Sequence, residues 1–226
     1  MPDMKTILEQ LADIAGVNIQ KEVSDYTGSY QMIQGGSPEI EVMEFLYSLV
    51  RLIKPKNILE TGRYAGWSSA VMAYALVKNG QNGQLITLEI LDEWVKATTD
   101  LHNKLGLSNT KCEKESSLEY KPPYMFDLMF LDSEPDIRFK ELQKFYPFLN
   151  EGGYVMIHDL HNHLGLSNQT LHNMEHWPFG DFRPYFGDLI KNHELQVVNF
   201  MTPRGFTLFY KSRKDDSVYK LLKGEI

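Results

Sequence analysis

Two aspartates follow the most apolar runs of the sequence. Asp132 follows the run 126–131, and Asp159 follows the run 154–157 and His158. Nearly continuous apolar runs are typical of strands buried on both faces. In a doubly wound sheet the carboxyl ends of such strands open into one crevice, where ligands bind. Two carboxylates there repel each other unless a cation lies between them, and Mg²⁺ is a cation that takes oxygen ligands. The pattern therefore predicts a cation-dependent site at this edge.

A glycine-rich turn follows an earlier apolar run. Gly62 and Gly66 lie between a predicted strand and a predicted helix. Glycines let a ligand approach the backbone, and the start of the helix offers unpaired N–H groups. Tyr64 stands where the G-x-G-x-x-G motif of dinucleotide sites has its second glycine, so the turn disfavours a diphosphate. The pattern predicts a site for a nucleoside that carries a zwitterionic amino-acid tail.

Two glutamates complete this predicted nucleoside site. Glu60 precedes the turn, where it could orient the amino-acid tail through water or backbone contacts. Glu89 ends the next predicted strand, where an acid can accept both hydroxyls of a ribose. Taken singly, these features have a simpler interpretation, in which Glu60 and Glu89 are solvated acids and the glycines serve only to form the turn. Their order on successive strand ends favours the nucleoside site.

These residues need an α/β framework, and the sequence predicts one. Short apolar runs alternate with helical segments, which indicates a parallel sheet with right-handed crossovers. Helices are predicted at 6–16, 37–55, 66–78, 92–106 and 137–149, and a loop is predicted at 24–37. The second helix has Ser37 as its predicted N-cap and ends at Pro55. Strands are predicted at 57–61, 84–89, 109–112, 126–131, 154–157, 195–200 and 206–210. The last two indicate an antiparallel hairpin. The fold class is therefore predicted as a doubly wound, mostly parallel seven-stranded sheet with a C-terminal antiparallel hairpin.

Composition narrows the class of protein. A chain of 226 residues suits one domain, predicted as a helical segment at 1–54 followed by a core at 55–226. The net charge of -7 offers no broad basic field for nucleic acid or an anionic membrane. Cys112 is the single cysteine, which excludes an intrachain disulfide. The start of the chain lacks secretory features and no apolar run approaches ~20 residues, so we expect a cytoplasmic protein.

The segment around the glycine turn resembles motif I of the class I S-adenosylmethionine-dependent methyltransferases. It is most similar to the catechol and caffeoyl-coenzyme A O-methyltransferase group, which has the motif Glu-x-Gly-x-x-x-Gly-Tyr-Ser. The matching positions are Glu60, Gly62, Gly66, Trp67 and Ser68. The similarity covers about residues 35 to 160. It implies a Rossmann-like methyltransferase fold, S-adenosylmethionine as the cofactor, a small-molecule substrate and a homodimer.

The resemblance also implies roles for individual residues. Glu60, Gly62 and Ser68 would line the methionine part of the cofactor, and Glu89 would bind the ribose. Ser116 and Ser117, which follow the third strand, would lie near the adenine. The predicted cofactor-binding set is Glu60, Gly62, Tyr64, Gly66, Ser68, Glu89, Ser116, Ser117 and Asp132.

In the resembling family an aspartate and a later Asp-Asn pair hold a divalent metal, which binds two neighbouring substrate hydroxyls. Asp132 and Asp159 match, but Leu160 replaces the asparagine. A related antibiotic-sugar methyltransferase group has an acidic pair where this chain has His158 and Asp159. The predicted ligands of Mg²⁺ or a similar ion are therefore Asp132, Asp159 and His158. A polar loop with solvated histidines is the alternative.

The general base also departs from the family pattern. Catechol-type members have a lysine three residues after the first aspartate, and Pro135 stands there. Histidine titrates near neutral pH and suits proton abstraction from a hydroxyl. We predict His161 as the base, with His158 as the other candidate and Asp132 as a further catalytic residue.

An aromatic insert at 160–187 is predicted to cover the crevice on the substrate side, or else to form a dimer surface or cover the sheet. The leading functional hypothesis is an S-adenosylmethionine-dependent O-methyltransferase acting on a phenol, catechol or sugar, with or without a divalent metal. The alternatives are a cephalosporin-hydroxylase-like enzyme and a non-catalytic nucleoside-binding protein of the same fold.

Overall fold

A computed structural model describes residues 5–25, 28–33, 37–80, 82–134, 137–159, 186–200 and 202–225. The strands are β1 (Gln20–Asp25), β2 (Gly28–Met32), β3 (Asn57–Thr61), β4 (Gln84–Glu89), β5 (Thr110–Lys114), β6 (Phe126–Leu131), β7 (Leu149–His158), β8 (Leu195–Phe200) and β9 (Phe206–Lys211). The helices are α1 (Ile7–Ala15), α2 (Ile40–Ile53), α3 (Trp67–Lys78), α4 (Asp92–Lys104), α5 (Arg138–Phe145) and α6 (Ser217–Leu222). Residues 186–191 are also helical. No helix among these described residues is long and apolar enough to cross a membrane.

The chain forms two compact units, Met1–Glu119 and Tyr120–Ile226. Seven strands form the predicted mixed sheet, which is mostly parallel and has an antiparallel hairpin near the C-terminus. The predicted fold class is therefore confirmed. The single-domain organisation, with its helical segment at 1–54, stays a prediction.

The first helices of the first unit begin with different caps. Thr6 caps α1 in a capping box with Glu9, as the helical pattern from residue 6 predicts. The prediction that Ser37 caps the second helix is wrong. Glu39 is the N-cap of α2 and makes no side-chain cap hydrogen bond. Its ψ of 151° keeps this residue extended, so the helix begins at Ile40.

A two-stranded antiparallel hairpin, β1 and β2, precedes α2. The predicted loop at 24–37 is therefore wrong across β2. The sequence there is polar and rich in Ser, Gly and Gln, so it lacks the alternating apolar pattern that indicates a half-buried strand. Met32 and Ile33 are buried at the end of the hairpin, and this anchors it to the unit.

The sheet strands of the first unit run in the order β5-β4-β3, and all are parallel. Their apolar side chains, such as Ile58, Leu59 and Leu85, are fully buried. Helix α3 follows β3 and is buried on nearly every side. This packing fixes the turn between β3 and α3, which carries the glycine motif.

In the second unit β6 and β7 are parallel, β9 is antiparallel to β7, and β8 pairs with β9. Strand β7 begins at Leu149, five residues before the predicted start, because Leu149 pairs with Phe126 ahead of a register shift, after which Tyr154 pairs with Leu128. The predicted helix 137–149 ends earlier, at Phe145, and a 3₁₀ turn at Tyr146–Phe148 follows. Pro147 lies in that turn, where it has no N–H to continue the α-helix.

Candidate functional site

The glycine turn between β3 and α3 has three residues in the left-handed region. Gly62 has φ 71°, Tyr64 has φ 47° and Gly66 has φ 85°. A Cβ added to Gly66 would lie 2.6 Å from Cγ2 of Thr98 on α4. The turn therefore packs tightly onto α4, and glycine is required at residue 66 for both space and conformation.

Glu89, the last residue of β4, is half-buried beside this turn. Its Oε2 accepts a hydrogen bond from the backbone N–H of Tyr64 at 3.2 Å. Its Oε1 accepts from the N–H groups of Ile90 at 2.8 Å and Leu91 at 3.1 Å. A carboxylate can accept about four hydrogen bonds, so the fixed Glu89 side chain keeps acceptor capacity.

Glu60 is fully buried at the other side of the turn. Its Oε1 accepts from the Ser68 hydroxyl at 2.6 Å, and its Oε2 accepts from the Thr87 hydroxyl at 2.5 Å. The carboxylate therefore joins β3, β4 and the first turn of α3. This network fixes the position of the first turn of that helix.

The structure places four of the predicted cofactor residues of the first unit around the turn, namely Glu60, Tyr64, Ser68 and Glu89. The rings of Tyr64 and Trp94 lie 4.0 Å apart, so Trp94 packs against the turn. Ser116 and the buried Ser117 begin two residues after the end of β5. Lys114, the last residue of β5, pairs with Glu89 of β4, so these serines begin one strand away from Glu89.

Buried polar groups that the sequence analysis missed lie beneath the turn. Arg63 Nη1 donates to the carbonyl oxygens of Thr87 at 2.6 Å and Glu113 at 3.2 Å. Arg63 is 2 % exposed, and its burial lowers its pKa. Its Nε and Nη2 have no hydrogen-bond partner among the described residues. An arginine in a glycine turn usually indicates solvent exposure, so the sequence carries no signal for this buried role.

His102 of α4 is a second missed residue. It is 2 % exposed, with Nε2 2.9 Å from the Ser69 hydroxyl and Nδ1 3.0 Å from the Thr110 hydroxyl. Burial lowers the pKa of His102 to about 4, and the charge of Arg63 acts in the same direction. The imidazole is therefore neutral near pH 7 and links α3, α4 and β5.

The second unit carries the predicted acidic site. Asp132 follows β6, His158 ends β7, and Asp159 comes next with φ 56°. One possible ligand atom from each of these three residues lies within 4.8 Å of the other two. His158 is fully buried, and Asp159 is 6 % exposed. The structure therefore brings the predicted metal ligands together, with a strained left-handed aspartate among them.

Two arginines that the sequence analysis missed contact the same carboxylates. Arg138 Nη2 lies 3.1 Å from Asp132 Oδ1 and 3.4 Å from Asp159 Oδ2, and Arg204 Nη2 lies 2.7 Å from Asp159 Oδ2. Burial raises the pKa of Asp159, but the positive charges of His158, Arg204 and Arg138 outweigh burial, so its pKa lies below the ordinary value. Neither arginine belongs to a motif, and each is distant in sequence from Asp159.

The remaining predictions for the site fall outside the described residues. These are the general base His161, the Leu160 and Pro135 positions, and the insert up to residue 185. His158 is described, and its Nδ1 lies 3.1 Å from Asp132 Oδ1.

Comparisons with known proteins agree with the fold and the motif. Residues 59–160 match a protein family described as a methyltransferase domain. A catechol O-methyltransferase of Niastella koreensis is 32% identical over 114 residues, which cover 46% of this chain and 50% of that protein. A probable caffeoyl-CoA O-methyltransferase of Dictyostelium discoideum is 22% identical over 148 residues, covering 61% and 57%. The chain thus spans about half the length of the curated relatives it matches.

Solved structures show the same fold. One of them is the O-methyltransferase TomG of Streptomyces achromogenes, which is involved in tomaymycin synthesis and was solved in complex with SAM. Its TM-score with this chain is 0.64 and its sequence identity is 16%. The match covers 93% of this chain and 92% of TomG. The resemblance to class I methyltransferases of the catechol and caffeoyl-coenzyme A group, predicted from the sequence, is confirmed.

Proposed function

We propose that this chain is an S-adenosylmethionine-dependent O-methyltransferase that acts on a hydroxyl of a small molecule. The observation that carries the proposal is the carboxylate of Glu89, which is held at the end of β4 against the glycine turn. Both lie within the residues that match the methyltransferase domain family. The relatives named as catechol and caffeoyl-CoA O-methyltransferases support oxygen as the methyl acceptor.

The first unit would bind the cofactor. Glu89 would accept a hydrogen bond from a ribose hydroxyl with its remaining acceptor capacity, as acids at this strand end do in nucleoside sites. The start of α3, positioned by Glu60 and Ser68, would present N–H groups to the carboxylate of the methionine part. Ser116 and Ser117 would lie near the adenine.

The reaction would be a direct methyl transfer. The oxygen of the acceptor forms a bond to the methyl carbon while the bond between that carbon and the sulfonium sulfur breaks. The sulfur keeps the electron pair, so S-adenosylhomocysteine leaves as a neutral thioether, and the hydroxyl proton passes to a base. Alignment of the two reactants supplies much of the acceleration in such a reaction. His161 as this base, a homodimer and a cytoplasmic location stay predictions.

A divalent metal at the acidic site does not fit the residues present. A Mg²⁺ ion lies about 2.0–2.1 Å from its oxygen ligands. Asp132 Oδ1 already contacts the guanidinium group of Arg138, and Asp159 Oδ2 contacts those of both Arg138 and Arg204. The proposed reaction therefore includes no step through a metal.

Transfer of a labelled methyl group tests the proposal. Purified protein would be incubated with methyl-labelled S-adenosylmethionine and a panel of phenols, catechols and sugars, and the products identified by mass spectrometry. We expect a methylated hydroxyl in at least one class, abolished by Glu89→Ala and retained by Glu93→Gln, an exposed control on α4. Folded protein that methylates no member of any class would contradict the proposal.

A further inference from the structure

The acidic site of the second unit already contains its cations. We propose that Arg138 and Arg204 take the place of the divalent cation, so that the acceptor chemistry of this chain proceeds without a metal. What the inference implies for the acceptor rests on the proposed methyltransferase function. The arrangement of the charges is independent of that function.

Hydrogen bonds to main-chain carbonyl oxygens hold the Arg138 side chain in place beside the carboxylates. It is 3 % exposed and belongs to the first turn of α5. Its Nε donates to the carbonyl oxygen of Ser133 at 2.6 Å, and its Nη1 donates to the carbonyl oxygen of His158 at 2.5 Å. Its Nη2 then lies 3.1 Å from Asp132 Oδ1 and 3.4 Å from Asp159 Oδ2. Three nitrogens of one planar group are thus held by four acceptors, which is the geometry that a guanidinium satisfies and an ammonium does not.

Arg204 approaches the same site from the turn between β8 and β9. Its Nη2 donates to Asp159 Oδ2 at 2.7 Å. The turn is held by a hydrogen bond from the N–H of Gly205 to the Thr202 hydroxyl at 2.9 Å. Oδ2 of Asp159 therefore contacts both guanidinium groups, and it is one of the two oxygens through which Asp159 could bind a metal.

The two arginines alone match the charge of the two carboxylates, without a metal and without counting His158. The two carboxylates carry two negative charges, and the two arginines carry two positive charges. A divalent cation added at the same oxygens would leave the buried site with an excess of positive charge, which is costly in a low-dielectric interior. His158 adds to this conflict, because its Nδ1 lies 3.1 Å from Asp132 Oδ1 and 3.5 Å from Asp159 Oδ1. When Nδ1 carries the ring proton, it donates to these carboxylates and has no lone pair for a metal.

This arrangement has a consequence for the class of substrate. A metal in this kind of site binds two neighbouring hydroxyls of the acceptor, which selects vicinal diols such as catechols. Without the metal, that selection is lost. The acceptor then needs one ionisable hydroxyl, and a phenol with a single hydroxyl becomes a substrate comparable to its catechol analogue.

Titration with Mn²⁺, followed by the loss of the electron paramagnetic resonance signal of free Mn²⁺, tests the inference directly. We expect the wild-type full chain to bind no Mn²⁺ at this site. The double variant Arg138→Met/Arg204→Met should gain one binding site, and adding Asp159→Asn should remove it again. Lys140→Met, an exposed change on α5, is the matched control and should behave like wild type.

The wild-type titration decides the inference even if the double variant fails to fold. One equivalent of bound Mn²⁺ that is lost in Asp159→Asn would overturn it. Methyl transfer measured with and without EDTA is the second arm, and we expect no loss of activity and turnover of both the monophenol and the catechol. Turnover that EDTA abolishes and Mg²⁺ restores would also overturn it.

The same samples separate this inference from the proposed function. Binding of S-adenosylhomocysteine depends on the first unit and is measured without any acceptor or metal. If it is absent, the proposed function fails whatever the Mn²⁺ titration shows. If it is present and wild type binds Mn²⁺ at Asp159, only the inference about the arginines fails.

Discussion

Acid should destabilise the protein through His102. The imidazole is buried among Ser69, Thr110 and the backbone of the glycine turn, and its pKa is lowered from 6.5 to about 4. Between these two values the unfolded chain binds a proton that the folded chain does not, so the free energy of unfolding falls as the pH falls. The contribution of His102 is complete above pH 6.5 and is lost progressively down to about pH 4. A shift of this size corresponds to about 3 kcal/mol at most.

Urea unfolding at a series of pH values measures this contribution. The free energy of unfolding of wild type would be compared with that of His102→Gln, which retains hydrogen-bonding groups but does not titrate. The comparison removes the effect of the acidic residues, which both proteins share. We expect wild type to lose about 2 to 3 kcal/mol more than the variant between neutral pH and the acid end of the range.

Ser69→Ala is the matched control for this experiment. It removes the hydroxyl beside His102 Nε2 and leaves the imidazole buried, so it should lower stability at every pH and keep the wild-type pH dependence. If wild type and His102→Gln lose stability in parallel on acidification, the reasoning from burial to a lowered pKa is refuted.

Three further substitutions test the packing of the two candidate sites. Gly66→Ala places a Cβ 2.6 Å from a methyl group of α4 at φ 85°, so it should cost about 2 to 4 kcal/mol in urea unfolding. Gly80→Ala, at φ 67° with open space, should cost only about 1 to 2 kcal/mol, and equal losses would contradict the packing argument. Glu60→Gln replaces a buried acceptor of two hydroxyl hydrogen bonds and should lower stability by about 1 to 3 kcal/mol, whereas an unchanged unfolding curve would show that the network contributes nothing. Arg138→Met leaves two buried carboxylates short of a cation and should cost about 3 to 5 kcal/mol, against a negligible loss for the exposed Lys140→Met. A comparable loss in both would refute the buried charge balance.

Much of the sheet could be predicted from the sequence because its strands are apolar and short. The run Asn57–Thr61 is followed by glycines, and the run Gln84–Glu89 ends in an acid. These residues mark the strand ends in the sequence, and the predicted bounds agree with β3 and β4. The hairpin of β1 and β2 could not be predicted in this way. Its sequence is polar, and it is stabilised by main-chain pairing and by two buried side chains at its end.

The residues of the candidate sites likewise include some that the sequence predicts and some that it does not. Residues at strand ends, such as Glu89 and Asp132, are placed by the sheet itself, so their positions follow from the order of strands. Arg138 and Arg204 come from a helix start and a hairpin turn, and only tertiary structure brings them to Asp159. The carboxylates were therefore predictable from the sequence, with a metal as one possible partner, whereas the arginines that contact them had no local signal.

Calorimetric titration with S-adenosylhomocysteine is the decisive test of the cofactor site, because it requires neither the acceptor nor any assumption about a metal. We expect saturable binding at one site in wild type, loss of binding in Glu89→Ala, and retention in Glu93→Gln. Well-folded wild-type protein that binds no S-adenosylhomocysteine would contradict the assignment of the glycine turn and Glu89 to a cofactor site, and with it the proposed methyltransferase function.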